Sequence, residues 1–586
     1  MSKKLAHRSV LIVGGGLTAA LVARQLVSNG VDVLVLERGI DRSGGAEERL
    51  PSQRDELRWD HRQGLMQNWA MEAYTLRHSV RDPSLPVRWM EAFLPGEGLG
   101  GAAAHWAGST WRWAEYDPCM RSHVEGRYGK HSIPEDMPIQ DWGVTYAQME
   151  PYHYLFEKLF GVSGKAGNLQ GSIQPQGNPF EAPRANEYPQ PPLEATEAGL
   201  IFKSVTEKLG YHPFVNPAAL SSGAYVNPDG QKLGACQYCG HCEKFMCEAR
   251  AKGTPDRLIY PVLLKQKNFE VRLRSHVVRV NYDRRSKLAT GVRFIDLQTG
   301  EEYEQTADIV VLAAFTLSNT KLLLTSGIGK PYDAGTNTGV VGKNFCYQTT
   351  SGVNVFFKGR WINPFLAGGA TSMVIDDFNN DNFDHGGLGF LGGAQFVAAV
   401  LGGRPINARR LPPGTPQWGS EWKRANADWY AHAFPVAAQG SCYPHRENFL
   451  DLDPHYTDAF GQPLLRLTFD WRANETRMSE YVTDKLVDIA NNMGADIVGA
   501  GPPRKSPFDT RQYQSSHLTG GTIMGTDPKT SVLSSHLQHW DAHNVFVVGA
   551  SVYSHNSGYN PTGPLAALAL RLGDDLLRYS RQPAML

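Results

Sequence analysis

The 586-residue sequence has no excess of charge of either sign: lysine plus arginine and aspartate plus glutamate number 58 each. With no basic run either, it lacks the electrostatic footprint of a chain that wraps nucleic acid. No apolar stretch approaches the ~18 residues of a membrane-crossing helix, since even the run from Ile309 to Phe315 is closed by Thr316 and Ser318. A cleavable leader is not expected, because the basic start, Met1 to Arg8, leads into apolar residues that run straight into Gly14-Gly15-Gly16. Cysteine is scarce, seven in all, so a disulfide scaffold is not expected. Internal repeats and low-complexity tracts are absent. At 41% apolar and 20% charged residues, disorder is excluded for most of the chain. The length excludes a small binding module and suits two or three cooperating domains.

What is present begins with a strand-like run, Ser9 to Val13, a glycine turn, helical spacing from Leu17 to Asn29, and a second apolar run from Val31 to Glu37. Strand, turn, helix and strand in this order make a βαβ unit and an α/β fold class. Irregular sequence rich in Pro, Gly, Trp and His follows from about 40 to 235. From Phe269 to Leu312 the pattern predicts three or four alternating strands, with Thr299-Gly300 as a turn, feeding a helix at Ser318 to Leu324. Residues 346 to 510 mix strand-like stretches with Gly and Asn-Asp loops. The α/β pattern returns in a buried strand, Asn544 to Gly549, and an Ala/Leu helix, Leu565 to Arg578. A first domain completed by distant segments, with other material inserted, is the organisation this predicts.

Gly14-x-Gly16-x-x-Ala19 directly after a strand fits a phosphate turn, where glycines allow the tight bend and a pyrophosphate sits on the helix N-terminus. Glu37, 23 residues after Gly14, stands where a carboxylate accepts hydrogen bonds from a ribose and disfavours a 2′-phosphate. The motif predicts a dinucleotide and leaves FAD and NAD both open.

Five segments over nearly the whole length resemble the glucose-methanol-choline (GMC) family of FAD oxidoreductases: Val10 to Gly39, Gly98-Leu-Gly-Gly-Ala-Ala-Ala-His105-Trp106, Val310 to Gly329, His517-Leu-Thr-Gly-Gly-Thr-Ile-Met-Gly525, and Val547-Val-Gly-Ala-Ser to Asn560-Pro561-Thr562. The resemblance implies a discontinuous Rossmann-like FAD-binding domain with an inserted α+β substrate domain containing an antiparallel sheet. The expected division is 1–115, 196–345 and 511–586 for the FAD domain, with 116–195 and 346–510 for the substrate domain and connecting segments. It implies FAD contacts at Gly14, Gly16, Ala19, Glu37, Gly100, Gly101, His105, Gly549, Asn560 and Thr562. It also implies a catalytic pair over the flavin, His517 as base and Asn560, 43 residues later, as orienter of the substrate oxygen. Such a pair suits alcohol oxidation, in which a base takes the hydroxyl proton while the C–H hydrogen leaves as hydride. Ala104-His105-Trp106 departs from the usual family pattern and is similar to the His-Trp pair of pyranose-2-oxidase relatives, where a histidine carries covalently attached FAD; at His105 covalent attachment and a plain flavin contact both stay open.

Four of the seven cysteines, Cys236, Cys239, Cys242 and Cys247, fall within twelve positions. The C-x2-C-x2-C spacing lets one loop wrap an iron–sulfur cluster, whereas structural zinc usually draws two separated knuckles; zinc and disulfides are the rivals. With its surrounding residues this loop resembles the large flavoprotein subunits of gluconate 2-dehydrogenase and fructose 5-dehydrogenase type. That resemblance implies a cluster on the 234–250 loop, 3Fe-4S favoured over 4Fe-4S, relaying electrons from the flavin to a multihaem cytochrome c subunit. It further implies a small signal-bearing subunit, co-export to the periplasmic side of the inner membrane, and membrane contact only through a partner; without such a partner the protein stays cytoplasmic. The expected reaction is oxidation of a secondary hydroxyl of a sugar or sugar acid, D-gluconate to 2-keto-D-gluconate first. Fructose, sorbitol, 2-ketogluconate and glycosides are alternatives, and an electron-transfer flavoprotein is the non-enzyme one. Cys119, Cys346 and Cys442 read as packing residues, and Trp106, Trp111 and Trp113 suit a sugar site or a core equally.

Overall fold

The computed structural model describes residues 3–45, 71, 73–87, 95–243, 245–368, 371–399, 410–512 and 515–586. Met1 and Ser2 of the basic start lie outside these residues, as do 46–70 in the stretch read as irregular.

The strand β1 (Lys3–Val13), helix α1 (Leu17–Val27) and strand β2 (Val33–Leu36) form the βαβ unit, with both strands parallel and in register from Val10 opposite Val33. They belong to a seven-stranded sheet. Phe269–Arg272 pairs in parallel outside β2, Glu302–Leu312 pairs in parallel on the other side of β1, and Val545–Val547 pairs in parallel with the last three residues of Glu302–Leu312. The first half of that long strand continues into an antiparallel ribbon with Leu288–Asp296 and Ser275–Asp283. The predicted four strands between Phe269 and Leu312 are therefore present, and the turn at Thr299-Gly300 falls between two of them. The buried end of β1, Val10–Val13, and the fully buried β2 read as continuous apolar runs because helices cover the sheet there. One of these, Thr562–Arg581, packs on both α1 and the helix Tyr146–Phe160.

A second, six-stranded sheet is antiparallel throughout, in the order Ile497–Ala500, Thr349–Phe356, Ala433–Gly440, Ala394–Ala398, Met373–Ile375, Phe214–Val215. Its period-2 alternation separates two tasks. Val353, Val355, Phe396, Phe434 and Val436 face a core closed by the helices Glu197–Lys208 and Ala473–Asn491. Thr350, Gly352, Gln395, Ala437 and Gln439 face a cavity.

Some segments sit across the expected division. Helix Glu197–Lys208 and strand Phe214–Val215, counted with the FAD domain, pack on the second sheet, because Ala198, Ile201, Phe202 and Val205 bury there. Helix Tyr146–Phe160, counted with the substrate domain, buries Met149, Phe156, Leu159 and Phe160 in the core of the first sheet. Among the described residues no helix is long and apolar enough to cross a membrane.

Candidate active site

A cavity of about 780 Å³ runs from the carboxyl ends of β1 and β2 to the polar face of the second sheet. Ligands of open parallel sheets bind at this end of the strands. At the β1 end the glycine turn shapes it. Gly14 adopts φ +97°, and a Cβ there would stand 2.8 Å from the Ala313 carbonyl oxygen. Around Gly16, the N-cap of α1, no atom lies within 4 Å of a built Cβ, and the first turn of α1 holds no acidic residue. Gly101 crosses so close that a Cβ would meet Gly16 Cα at 3.0 Å. A backbone cradle with free space over a helix N-terminus fits a pyrophosphate.

Of the expected cofactor contacts, Gly14, Gly16, Glu37, Gly101, His105, Gly549, Asn560 and Thr562 line the cavity. Ala19 and Gly100 are not among the lining residues. Ala19 is buried in the core, where a small side chain lets α1 approach the sheet. Gly100 turns at φ +94° and donates its N–H to the Gly15 carbonyl at 2.8 Å, holding the 98–101 segment on the glycine turn. Glu37 does more than a ribose contact requires. Its Oε2 accepts from Gly15 N at 2.6 Å, and its Oε1 accepts from Gly39 N at 2.7 Å and Gly98 N at 3.2 Å, so one carboxylate ties three loops together. Burial pushes its pKa up against these hydrogen bonds.

At the far end of the cavity the structure brings His517 and Asn560 together: Asn560 Nδ2 lies 3.2 Å from His517 Nε2. Two residues that sequence reasoning missed or left uncommitted fix which atom faces which. Trp111 Nε1, a donor only, donates to Asn560 Oδ1 at 3.1 Å, so the Asn560 amide must turn its NH2 to His517. Trp113 Nε1 donates to the Asn560 carbonyl at 3.1 Å, which makes these two indoles part of the scaffold under Asn560. On the other side, Gln348 Nε2 donates to the carbonyls of Ser557 and Tyr559 at 3.0 and 3.1 Å. Its Oε1 is thereby left facing His517 Nδ1 at 2.5 Å. The proton of His517 consequently resides on Nδ1, and Nε2 presents a lone pair. Gln348 is at hand because Cys346–Tyr347 pairs with Leu518–Thr519 and Gln348 N donates to the His517 carbonyl at 3.3 Å. Burial pushes the His517 imidazole down to about 4, so it is neutral at physiological pH. Nothing in the local sequence around Gln348 marked it; only the pairing of two distant short strands does.

The cysteine loop touches this cavity through Glu243, while none of its four cysteines lines it. Cys239 is exposed, Cys242 buried, and Cys236 and Cys247 intermediate. Turns at Tyr238 (φ +52°) and Gly240 (φ +76°) fold the loop back on itself. Among the described residues no three potential ligands are gathered as a metal-holding group. Cys236, Cys239 and Cys247 nevertheless lie close enough for each thiol to affect its neighbours, and burial raises Cys236 and Cys239. Lys252 is fully buried and donates to the carbonyls of Trp106, Cys242 and Phe245 at 2.7–2.8 Å. Burial pushes the Lys252 ammonium down, and Cys242, Cys247 and Asp256 act against that shift. Trp106, which lines the cavity, is joined to the loop through Lys252, which donates to the carbonyls of both Trp106 and Cys242. Of the remaining cysteines, Cys346 and Cys442 are buried against one another and Cys119 is partly exposed.

A dinucleotide cradle opening onto a neutral imidazole and an oriented amide defines a flavin-dependent oxidoreductase of alcohols. The family models for GMC oxidoreductases match residues 444–569 and 102–350, and the chain belongs to that family. It is 42% identical over 573 residues to the gluconate 2-dehydrogenase flavoprotein of Pantoea cypripedii, covering 97% of this chain and 93% of the relative. It is 26% identical to the fructose dehydrogenase large subunit of Gluconobacter japonicus, covering 99% and 100%. Among solved structures, Aspergillus oryzae formate oxidase superposes with a TM-score of 0.59 at 14% identity over 99% of both chains, and a pyridoxine 4-oxidase with 0.59 at 15% over 97% and 99%. The protein is an FAD-dependent sugar or alcohol dehydrogenase of the GMC type, and the expected fold class and cofactor FAD hold.

Proposed function

We propose that the protein oxidises the C2 hydroxyl of D-gluconate to 2-keto-D-gluconate and passes the electrons through an iron–sulfur cluster, of 3Fe-4S type, held by Cys236, Cys239, Cys242 and Cys247, to a multihaem cytochrome c subunit. The observation that carries the reading is the pair His517 and Asn560, locked by Gln348 and Trp111, in a chain 42% identical to a gluconate 2-dehydrogenase flavoprotein. His517 Nε2 takes the hydroxyl proton, and Asn560 Nδ2 donates to the same oxygen. Bound flavin supplies the two-electron acceptor for the C–H hydrogen. Buried Lys252 balances thiolate charge on the loop. His105, which lines the cavity, serves either as a plain flavin contact or as the point of covalent FAD attachment, and the division into FAD and substrate domains follows the two sheets. Export to the periplasmic face occurs with a small signal-bearing subunit.

The test is the purified holoenzyme's flavin, iron and acid-labile sulfide content, with a substrate panel read by an artificial one-electron dye. Flavin and iron together with turnover of gluconate are expected. Zinc in place of iron removes the relay, and turnover of fructose, sorbitol, 2-ketogluconate or a glycoside alone removes the substrate. Flavin in the pellet after acid precipitation tests His105.

A further inference from the structure

Among the cations lining the cavity, Arg504 and Arg410 belong to neither the flavin turn nor the His517 pair. Arg504 follows the edge strand Ile497–Ala500, and its N–H donates to Ser479 Oγ at 2.8 Å, which pins its backbone to the helix Ala473–Asn491. Its side chain donates from Nε to the Thr350 carbonyl at 2.7 Å, from Nη2 to Thr350 Oγ1 at 2.9 Å and from Nη1 to Gln512 Oε1 at 3.0 Å. All three partners are neutral, and two of the five guanidinium hydrogens remain for a ligand. Arg410 also lines the cavity, where burial weighs on its charge. Among the described residues neither arginine forms an ion pair with a carboxylate. The acidic lining residues lie elsewhere: Glu37 on the glycine turn, Glu97 beside it, Glu243 on the cysteine loop, and Asp458 paired with Lys321 at 2.7 Å.

Arg504 and His517 are held by residues two apart on one stretch of chain. Gln348 holds His517, Thr350 holds Arg504, and both belong to one nearly extended stretch. Side chains two residues apart on such a stretch share a face and stand about 7 Å apart. In a 2-hydroxy acid the carboxylate carbon is bonded directly to the carbon bearing the hydroxyl. His517 and Arg504 line the same cavity, so one substrate reaches both with an oxygen on His517 and a carboxylate on Arg504.

We propose that Arg504, supported by Arg410, is the carboxylate subsite of this enzyme, which selects sugar acids over neutral sugars and the hydroxyl next to the carboxylate over the others. This rests on His517 being the base, as proposed above.

The experiment is anaerobic mixing of holoenzyme with D-gluconate or with the neutral D-sorbitol, following flavin bleaching, in wild type, Arg504→Gln, Arg504→Lys and Arg410→Gln. For Arg504→Gln, apparent Kd for gluconate rises on the order of 30- to 100-fold, the loss of a charge-assisted pair, while sorbitol is unaffected. Arg504→Lys loses less, and added guanidinium restores part of the loss in Arg504→Gln. Equal losses for gluconate and sorbitol mean that Arg504 only holds Thr350, and overturn the subsite alone. Wild-type enzyme bleached by sorbitol but by no 2-hydroxy acid overturns both the subsite and the gluconate reading.

Discussion

Trp111 and Gln348 touch neither end of the reaction, yet one atom of each decides how the pair is presented: Trp111 Nε1 turns the Asn560 amide, and Gln348 Oε1 sets the tautomer of His517. Removing the Gln348 amide, as in Gln348→Leu, lets the imidazole take the other tautomer; kcat should fall by about 100-fold with little change in KM, because only the lone pair at Nε2 is lost. Gln348→Glu should keep the tautomer and raise the acid limb of the pH–rate profile by roughly 1–2 units, since a carboxylate on Nδ1 stabilises the imidazolium. An unmoved limb in Gln348→Glu contradicts the tautomer assignment. Wild-type His517 is held down near 4 by burial. Its neutral form therefore persists as pH falls through the ordinary histidine range, and the rate of flavin reduction should be halved only near pH 4. The same depression means that the unfolded chain takes up a proton at this histidine below about 6.5 before the folded chain does, so His517 costs stability from there downward. His517→Ala should leave flavin bound and reduce turnover by orders of magnitude.

Among elements, the glycine turn after β1 and the cysteine loop answer to different losses. Gly14→Ala forces a side chain into φ +97° and to 2.8 Å from the Ala313 oxygen, so the turn must shift; the purified variant should carry little FAD. Cys242→Ser should do the reverse, keeping flavin and its bleaching by substrate while losing iron and electron delivery to a one-electron acceptor. The βαβ unit was legible from sequence because Val10–Val13 of β1 and all of β2 are buried, leaving an apolar run on each side of a glycine turn. The antiparallel ribbon from 275 to 312 was legible from alternation. The substrate sheet was not, because its strands turn small and polar residues such as Gly352, Gln395 and Gln439 to the cavity, which blurs the apolar period. His517 and Asn560 were legible through motif resemblance, whereas Gln348 and Arg504 were not, since their meaning lies in contacts between segments more than 100 residues apart.

At the scale of the molecule, one cavity runs from the strand ends of the first sheet to the polar face of the second, and the thiol loop reaches it through Glu243 and is joined to it by Lys252 and Trp106. In the proposed relay, that arrangement would separate a two-electron oxidation inside from a one-electron exit near the surface, where Cys239 is exposed. Expression with the small and cytochrome subunits should bring the chain to the membrane fraction, and cytoplasmic retention in their presence contradicts the proposed export. The central claim is tested most directly by mixing anaerobic holoenzyme with D-gluconate and following flavin absorbance and the cluster's electron paramagnetic resonance signal in the same sample. Expected is loss of the oxidised-flavin absorbance, followed by a change in the cluster signal as the relay is filled. Flavin that stays oxidised with gluconate, or bleaches in a protein containing no iron, contradicts it.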